Sequence, residues 1–154
     1  MKLRLDDMRE TDIDAVLDMA AELSSHEGMP NPDLTYEKLH EVMFGQSAFV
    51  YGSVARKDIE PVGYVFWNIG YDMQHGTKTL NIIDLFVKQT DRRQSIARFL
   101  LSKLASLAME RGYKFMTVQA SARNEEANAF YGDCGAKLDR TNTYYFTQTT
   151  MEAL

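Results

Sequence analysis

Residues 80–101, LNIIDLFVKQTDRRQSIARFLL, constrain this chain more than any other stretch. Ile82, Ile83, Leu85, Phe86 and Val87 are apolar and mostly β-branched or aromatic, which predicts a strand. From about Ile96, the residues Phe99, Leu100 and Leu101 begin a helical pattern. The turn between them carries Arg92, Arg93, Gln94 and the small Ser95, with Ala97 just inside the helix. A strand feeding a helix through so short a turn stacks backbone N–H groups where the helix dipole is positive. That makes the turn a candidate phosphate cradle.

The flanking chain has to supply a sheet for this strand. Residues 2–8 alternate polar and apolar as a first strand, and Thr11 is placed to cap a helix over 12–25. Two prolines, Pro30 and Pro32, restrict the loop 24–34. Thr35 caps a second helix that Gly45 ends. Residues 48–55 and 62–69 read as strands joined by a hairpin loop at 56–61. With the opening strand they form an antiparallel meander. A long helix over 95–111 is closed by Gly112. A short strand at 115–119 follows, then a helix capped by Asn124 and ended by Gly135. Residues 136–138 and 143–147 (TYYFT) complete the pattern as last strands. The order β, α, α, β, β, β, α, β, α, β, β predicts an α/β fold. Its centre is a mixed, mostly antiparallel sheet of six to seven strands, with about four helices on both faces.

Size and charge narrow the function. The 154 residues suit one domain, 1–154, with a real core. The formal net charge of −5 argues against nonspecific nucleic-acid binding and favours cationic ligands. One cysteine, Cys134, allows no intramolecular disulfide and fits a reduced, cytoplasmic setting. The charged N-terminus has no apolar core of a signal peptide. No apolar run approaches the ~20 residues that span a bilayer, so no membrane partner is expected. The histidines show no zinc spacing, so no metal is expected.

Three local patterns resemble the GNAT family of N-acetyltransferases, and the likeness covers nearly the whole chain. VKQTDRRQSIA at 87–97 is similar to the family's Arg-x-x-Gly-x-Gly/Ala turn after a strand. NEEANAFYGDCGA at 124–136 resembles its Asn-x-x-Ala-x-x-Phe-Tyr-x-x-x-Gly segment. The helix–loop–helix between the first two strands resembles the element that shapes the acceptor pocket. Within the family, His26-Glu27, Leu34-Thr35, Phe44-Gly45 and Asp84-Leu85-Phe86-Val87 look most like the diamine (spermidine/spermine) acetyltransferases. The chain departs from those relatives at Arg93 and Ser95, where the family uses glycine, and at Ile83, where the diamine enzymes carry a glutamate.

The resemblance implies an acetyl-CoA-dependent N-acetyltransferase that acts on a primary amine of a small cationic acceptor. It implies acetyl-CoA contacts at Leu85, Phe86, Val87, Arg92, Arg93, Gln94, Ser95, Ile96, Ala97, Asn124 and Tyr131. Such a reaction needs a held thioester, a neutral amine, an oxyanion donor and a proton for the leaving thiolate. The family's oxyanion donor is a backbone N–H near Phe86 or Val87. Tyr131 is the candidate general acid, because a phenol can donate a proton. Asp84 is the candidate base, directly or through a water, or the anchor of the cationic amine. Its apolar neighbours predict a raised pKa. Glu27 and Trp67 are the further candidate acceptor contacts, Trp67 by cation–π attraction. A homodimer is expected. The alternatives are an acyl-CoA-binding regulatory protein on the same fold, or an acetyltransferase of a protein or aminoglycoside amine.

Overall fold

The structure, a computed structural model, describes residues 2–92 and 95–154. Its chain divides into two compact units, Met1–Gln119 and Ala120–Leu154.

The first unit is built on five strands in the order β1-β2-β3-β4-β5: Leu3–Asp7, Tyr51–Lys57, Glu60–Asp72, Thr77–Val87 and Phe115–Val118. The first four are antiparallel neighbours, and β5 runs parallel to β4. A parallel neighbour requires a crossover. That crossover is helix α3, Ile96–Glu110. Its Ile96, Leu100, Leu104 and Ala108 stripe packs on one face of the sheet with Val65, Trp67, Leu80 and Ile82. Helices α1 (Ile13–His26) and α2 (Tyr36–Phe44) cover the other face, burying Ile13, Val16, Met19, Ala20 and Leu39 against Val54, Tyr64, Phe66 and Phe86.

Local capping follows the residues that predict it. Thr35 Oγ1 accepts from the Lys38 amide at 3.2 Å and starts α2. Gly112 takes φ +73° just past α3, a conformation that glycine adopts without strain. Two local expectations change. Thr11 does not cap α1, because residues Glu10–Asp12 form a single 3₁₀ turn ahead of it. Arg56 belongs to β2 rather than to a hairpin loop. It is buried, where it donates to Asp12 and Asp6.

The second unit carries α4 (Glu125–Asp133) and α5 (Gln148–Glu152). Asn124 caps α4 by accepting from the Ala127 amide at 3.0 Å. Gly135 follows at φ +90°. The expected strands at 136–138 and 143–147 are not formed, so the sheet has five strands rather than six or seven. Tyr144 and Tyr145 are 81% and 84% exposed, without the paired, half-buried setting that β-propensity measures.

Candidate functional site

The centre of the first unit's chemistry is a break in the β3–β4 ladder. Phe66 faces Asp84, and the next residue, Trp67, faces Ile82, so Ile83 is an extra residue on β4. A bulge of this kind re-aims the side chains beside it. Ile83 is turned out, 50% exposed. Asp84 is turned to the α1 side, where the hydroxyl of Tyr64 donates to its Oδ2 at 2.8 Å. Tyr64 is 0% exposed and lies between Phe66 and Phe86, at 5.1 and 5.9 Å between ring centroids.

This setting perturbs both groups. Burial raises the Asp84 pKa, the Tyr64 hydrogen bond opposes that, and the negative charge of Glu27 adds to the rise. The carboxyl therefore sits above its ordinary range, as its apolar neighbours predict. Burial drives the Tyr64 phenol far upward, and the Asp84 charge pushes it the same way. Glu27 reaches this neighbourhood because it caps the C-terminus of α1. A carboxyl and a phenol thus meet from two strands, and the charge of Glu27 acts on both.

Beyond the bulge the sheet opens. The β4–β5 pairing spans Thr79 to Ile82 against Phe115 to Val118, while β4 runs on to Val87. The stretch from Ile83 to Val87 therefore has no β5 partner. A cavity of about 460 Å³ starts there, its lining including Asn68, Asn81, Ile82, Ile83, Thr117 and Val118. Its polar floor is tied together at Asn81, whose Oδ1 accepts from Thr79 at 3.1 Å and from Thr117 at 2.7 Å. Asn81 Nδ2 in turn donates to Asn68 Oδ1 at 3.3 Å.

At the end of β4 the turn leads to the start of α3. Ser95 is the N-cap of α3 and has φ +62°, the left-handed region. No acidic residue stands in the first turn of α3 to offset the positive end of the helix dipole. Ile96 is buried and Ala97 half-buried. Arg92 folds back onto the strand: its Nε donates to the Val87 carbonyl at 3.1 Å, and its guanidinium lies 5.6 Å from the Phe86 ring centroid. Its Nη1 also meets His26 Nε2 at 3.3 Å. Arg93 and Gln94 lie outside the described residues.

Other predicted contacts distribute as follows. Phe86 and Val87 are buried in the sheet, and Leu85 is half-buried. Trp67 is 6% exposed in the α3-side core and stacks on Tyr51, 5.9 Å between centroids. Strand alternation places it on the opposite face from Tyr64 and Asp84. Its ring is occupied by protein on that face. In the second unit, Asn124 spends its Oδ1 on the α4 cap, and half-buried Tyr131 meets Phe130 edge-on at 5.2 Å.

Tyr64 is the site residue that sequence patterns miss. It sits in an apolar strand, VGYVFWNI, with nothing local to mark it. Its role depends on the cross-strand register that brings it diagonal to Asp84. Among the described residues, no group of three or more His, Cys, Asp or Glu is placed to hold a metal ion. No helix among them is long and apolar enough to cross a membrane.

A bulged, opened β4 beside a helix N-terminus with no acid in its first turn suits an anionic cosubstrate with an extended arm. Comparison with known proteins agrees. Residues 14–136 match the acetyltransferase (GNAT) family, and the chain belongs to that family. The family's acetyltransferases use acetyl-CoA as cosubstrate. Solved structures share the fold. A possible acetyltransferase from Clostridium difficile 630 is 16% identical, covers 96% of this chain and 98% of its own, and superposes with a TM-score of 0.80. An aminoglycoside acetyltransferase from an uncultured soil metagenomic sample, in complex with sisomicin, is 20% identical over 95% and 97%, with a TM-score of 0.78. The ribosomal-protein-alanine N-acetyltransferase from Brucella melitensis biovar Abortus 2308 is 18% identical over 96% and 100%, with a TM-score of 0.76.

Proposed function

We propose that this acetyltransferase moves the acetyl group of acetyl-CoA to a primary amine of a small cationic acceptor, diamine- or polyamine-like. One observation carries the reading: the Asp84 carboxylate is held in an apolar setting by Tyr64, with the charge of Glu27 beside it. Among the described residues no lysine or arginine forms an ion pair with Asp84. A half-buried carboxylate in an apolar setting, without a protein cation, is suited to an ammonium from solution.

The residues divide the work. Ser95, Ile96 and Ala97 open α3 and offer its positive end to the pyrophosphate, with Arg92 before them; Arg93 and Gln94, next in sequence, belong to the same proposed contact. The unpaired edge through Leu85, Phe86 and Val87 offers backbone groups to the amide-bearing arm, and one N–H there to the oxyanion. Acetyl-CoA supplies the thioester. Glu27 and Asp84 attract the cationic acceptor. Asp84 then takes a proton from the ammonium, directly or through water, so that the neutral amine attacks. Tyr131 gives a proton to the leaving thiolate, and Asn124 fixes the start of its helix. Trp67, proposed from the sequence as an acceptor contact, is 6% exposed and packs in the α3-side core. The reading takes residues 1–154 as a single domain, supported by a family match, residues 14–136, that extends past residue 119. A cytoplasmic homodimer completes the reading, and light scattering measures its mass.

Release of free CoA with a panel of diamines, polyamines, aminoglycosides and peptide amines tests the proposal. Highest kcat/KM on a small diamine or polyamine supports it. A second reading, acyl-CoA binding without catalysis, draws on Ile83, which stands where the diamine enzymes carry glutamate. Acetyl-CoA raising the melting temperature with no amine turned over selects that reading instead.

A further inference from the structure

We propose that Tyr64 is a positioning residue of the acceptor site: its hydroxyl holds Asp84 Oδ2 and so sets the direction in which the carboxylate meets the acceptor amine. The inference rests on the acetyl-transfer reading of Asp84. It is carried by the geometry of two adjacent strands. Tyr64 and Asp84 lie on the same face of β3 and β4, and the bulge at Ile83 is what turns Asp84 to that face. Without a partner, a carboxylate at the end of Cβ rotates freely about χ2. With Oδ2 held at 2.8 Å by a buried phenol, that rotation is removed.

The groups facing Asp84 define what Tyr64 does. Glu27 approaches from the end of α1 and, like burial, disfavours the carboxylate; the Leu85 amide on its own strand favours it. Phe66 and Phe86 flank Tyr64 as apolar walls. Arg92 is engaged over Phe86 and with His26. Among the described residues, the phenol is therefore the one side-chain hydrogen bond that supports the ionised form against two opposing effects. Tyr64 itself acts only as a donor. Burial and the neighbouring carboxylate hold its proton in place far above the ordinary phenol range, so it is not a second base.

Tyr64→Phe removes the hydroxyl and keeps the ring in the core. The acid limb of the kcat/KM profile moves to higher pH, and kcat/KM at pH 7 falls about tenfold, the usual weight of a hydrogen bond to a charged group. The KM for acetyl-CoA does not change. In an Asp84→Asn background the same change has no further effect on kcat. Placing 3-fluorotyrosine at position 64 alone gives a stronger donor and moves the acid limb the other way. A purely structural Tyr64 predicts a lower melting temperature with the acid limb unmoved in both variants, and that result overturns the proposal. The carbon-13 titration of the Asp84 carboxyl in wild type and Tyr64→Phe reads the same coupling without turnover. If wild type acetylates no amine, the acetyl-transfer reading fails, and this titration still decides the role of Tyr64: an unshifted carboxyl overturns it.

Discussion

Arg56 Nη2 donates to Asp12 Oδ1 at 2.6 Å across 44 residues of sequence, joining the end of β2 to the start of α1. The guanidinium is 10% exposed and the Asp12 side chain 7%. Arg56 Nε donates at the same time to Asp6 on β1, at 2.9 Å. The second Asp12 oxygen accepts from the Arg9 amide, also at 2.9 Å. One planar fork thus ties β1, β2 and the turn before α1, and every oxygen of Asp12 is engaged.

Removing the guanidinium leaves Asp12 buried and uncompensated. Arg56→Ala should cost about 3 kcal/mol, the typical penalty for breaking a buried pair from one side. Arg56→Lys should recover only part of that, because a single ammonium cannot reproduce a two-nitrogen fork. Urea unfolding at pH 7 checks both. An Arg56→Ala loss under 1 kcal/mol would show the network to be ornamental.

Asp84→Asn should cost activity and yet stabilise the fold. The amide oxygen still accepts from Tyr64, but neither proton abstraction nor ammonium attraction survives, so kcat/KM should fall about 100-fold or more. The stability change has the opposite sign. The folded pKa of Asp84 is raised, so the ionised carboxylate is a standing cost above that pKa and none below the unfolded value. The variant's melting temperature should therefore exceed that of wild type at pH 7, with the gap closing as pH falls through the ordinary carboxylate range. Differential scanning calorimetry across pH reads this. A variant less stable at pH 7 would mean that the carboxylate is satisfied as it stands.

Much of this arrangement is legible locally. The β-branched run before a polar turn becomes β4, and the Leu100/Leu104 periodicity becomes α3. Thr35 and Asn124 cap the helices their side chains predict. What local patterns miss is set by register. The Ile83 bulge, the Tyr64–Asp84 bond and the Arg56 fork all join residues from different elements, and nothing near each residue announces its partner. Trp67 looks like a pocket aromatic until alternation puts it in the α3-side core. The TYYFT segment has strand chemistry, but a strand needs a neighbour as well as propensity, and here its aromatics stay exposed.

Ser95 stands where the family turn uses glycine, and its φ of +62° supplies the reason for that preference. A left-handed non-glycine residue carries about 1–2 kcal/mol of strain. Ser95→Gly relieves it but gives the unfolded chain about 0.5–1 kcal/mol of extra entropy. The net gain should be about 0.5 kcal/mol, with acetyl-CoA binding as tight as wild type or tighter. Ser95→Val should lose more than about 1 kcal/mol, since a β-branched side chain tolerates this conformation worst. It should also weaken acetyl-CoA binding, because the first amides of α3 shift with the cap. Thermal melts and calorimetric titration with acetyl-CoA give both numbers. A Ser95→Val protein as stable as wild type would remove the strain argument.

Tyr131→Phe isolates the acid role. The ring keeps its edge-on contact with Phe130, so the helix should remain folded with a melting temperature near that of wild type. A leaving thiolate has a reference pKa of about 8.5, so it departs as an anion with moderate ease and gains most from a proton donor at neutral pH and below. The loss in kcat should be about 100-fold at pH 7 and should shrink as pH rises past about 9. The KM for acetyl-CoA should stay within about threefold of wild type, because only one hydrogen-bonding atom is removed. Steady-state rates from pH 6 to 10, read as free CoA, measure this. A pH-independent loss would assign Tyr131 to cosubstrate binding, and no loss at all would leave the thiolate to be protonated by water.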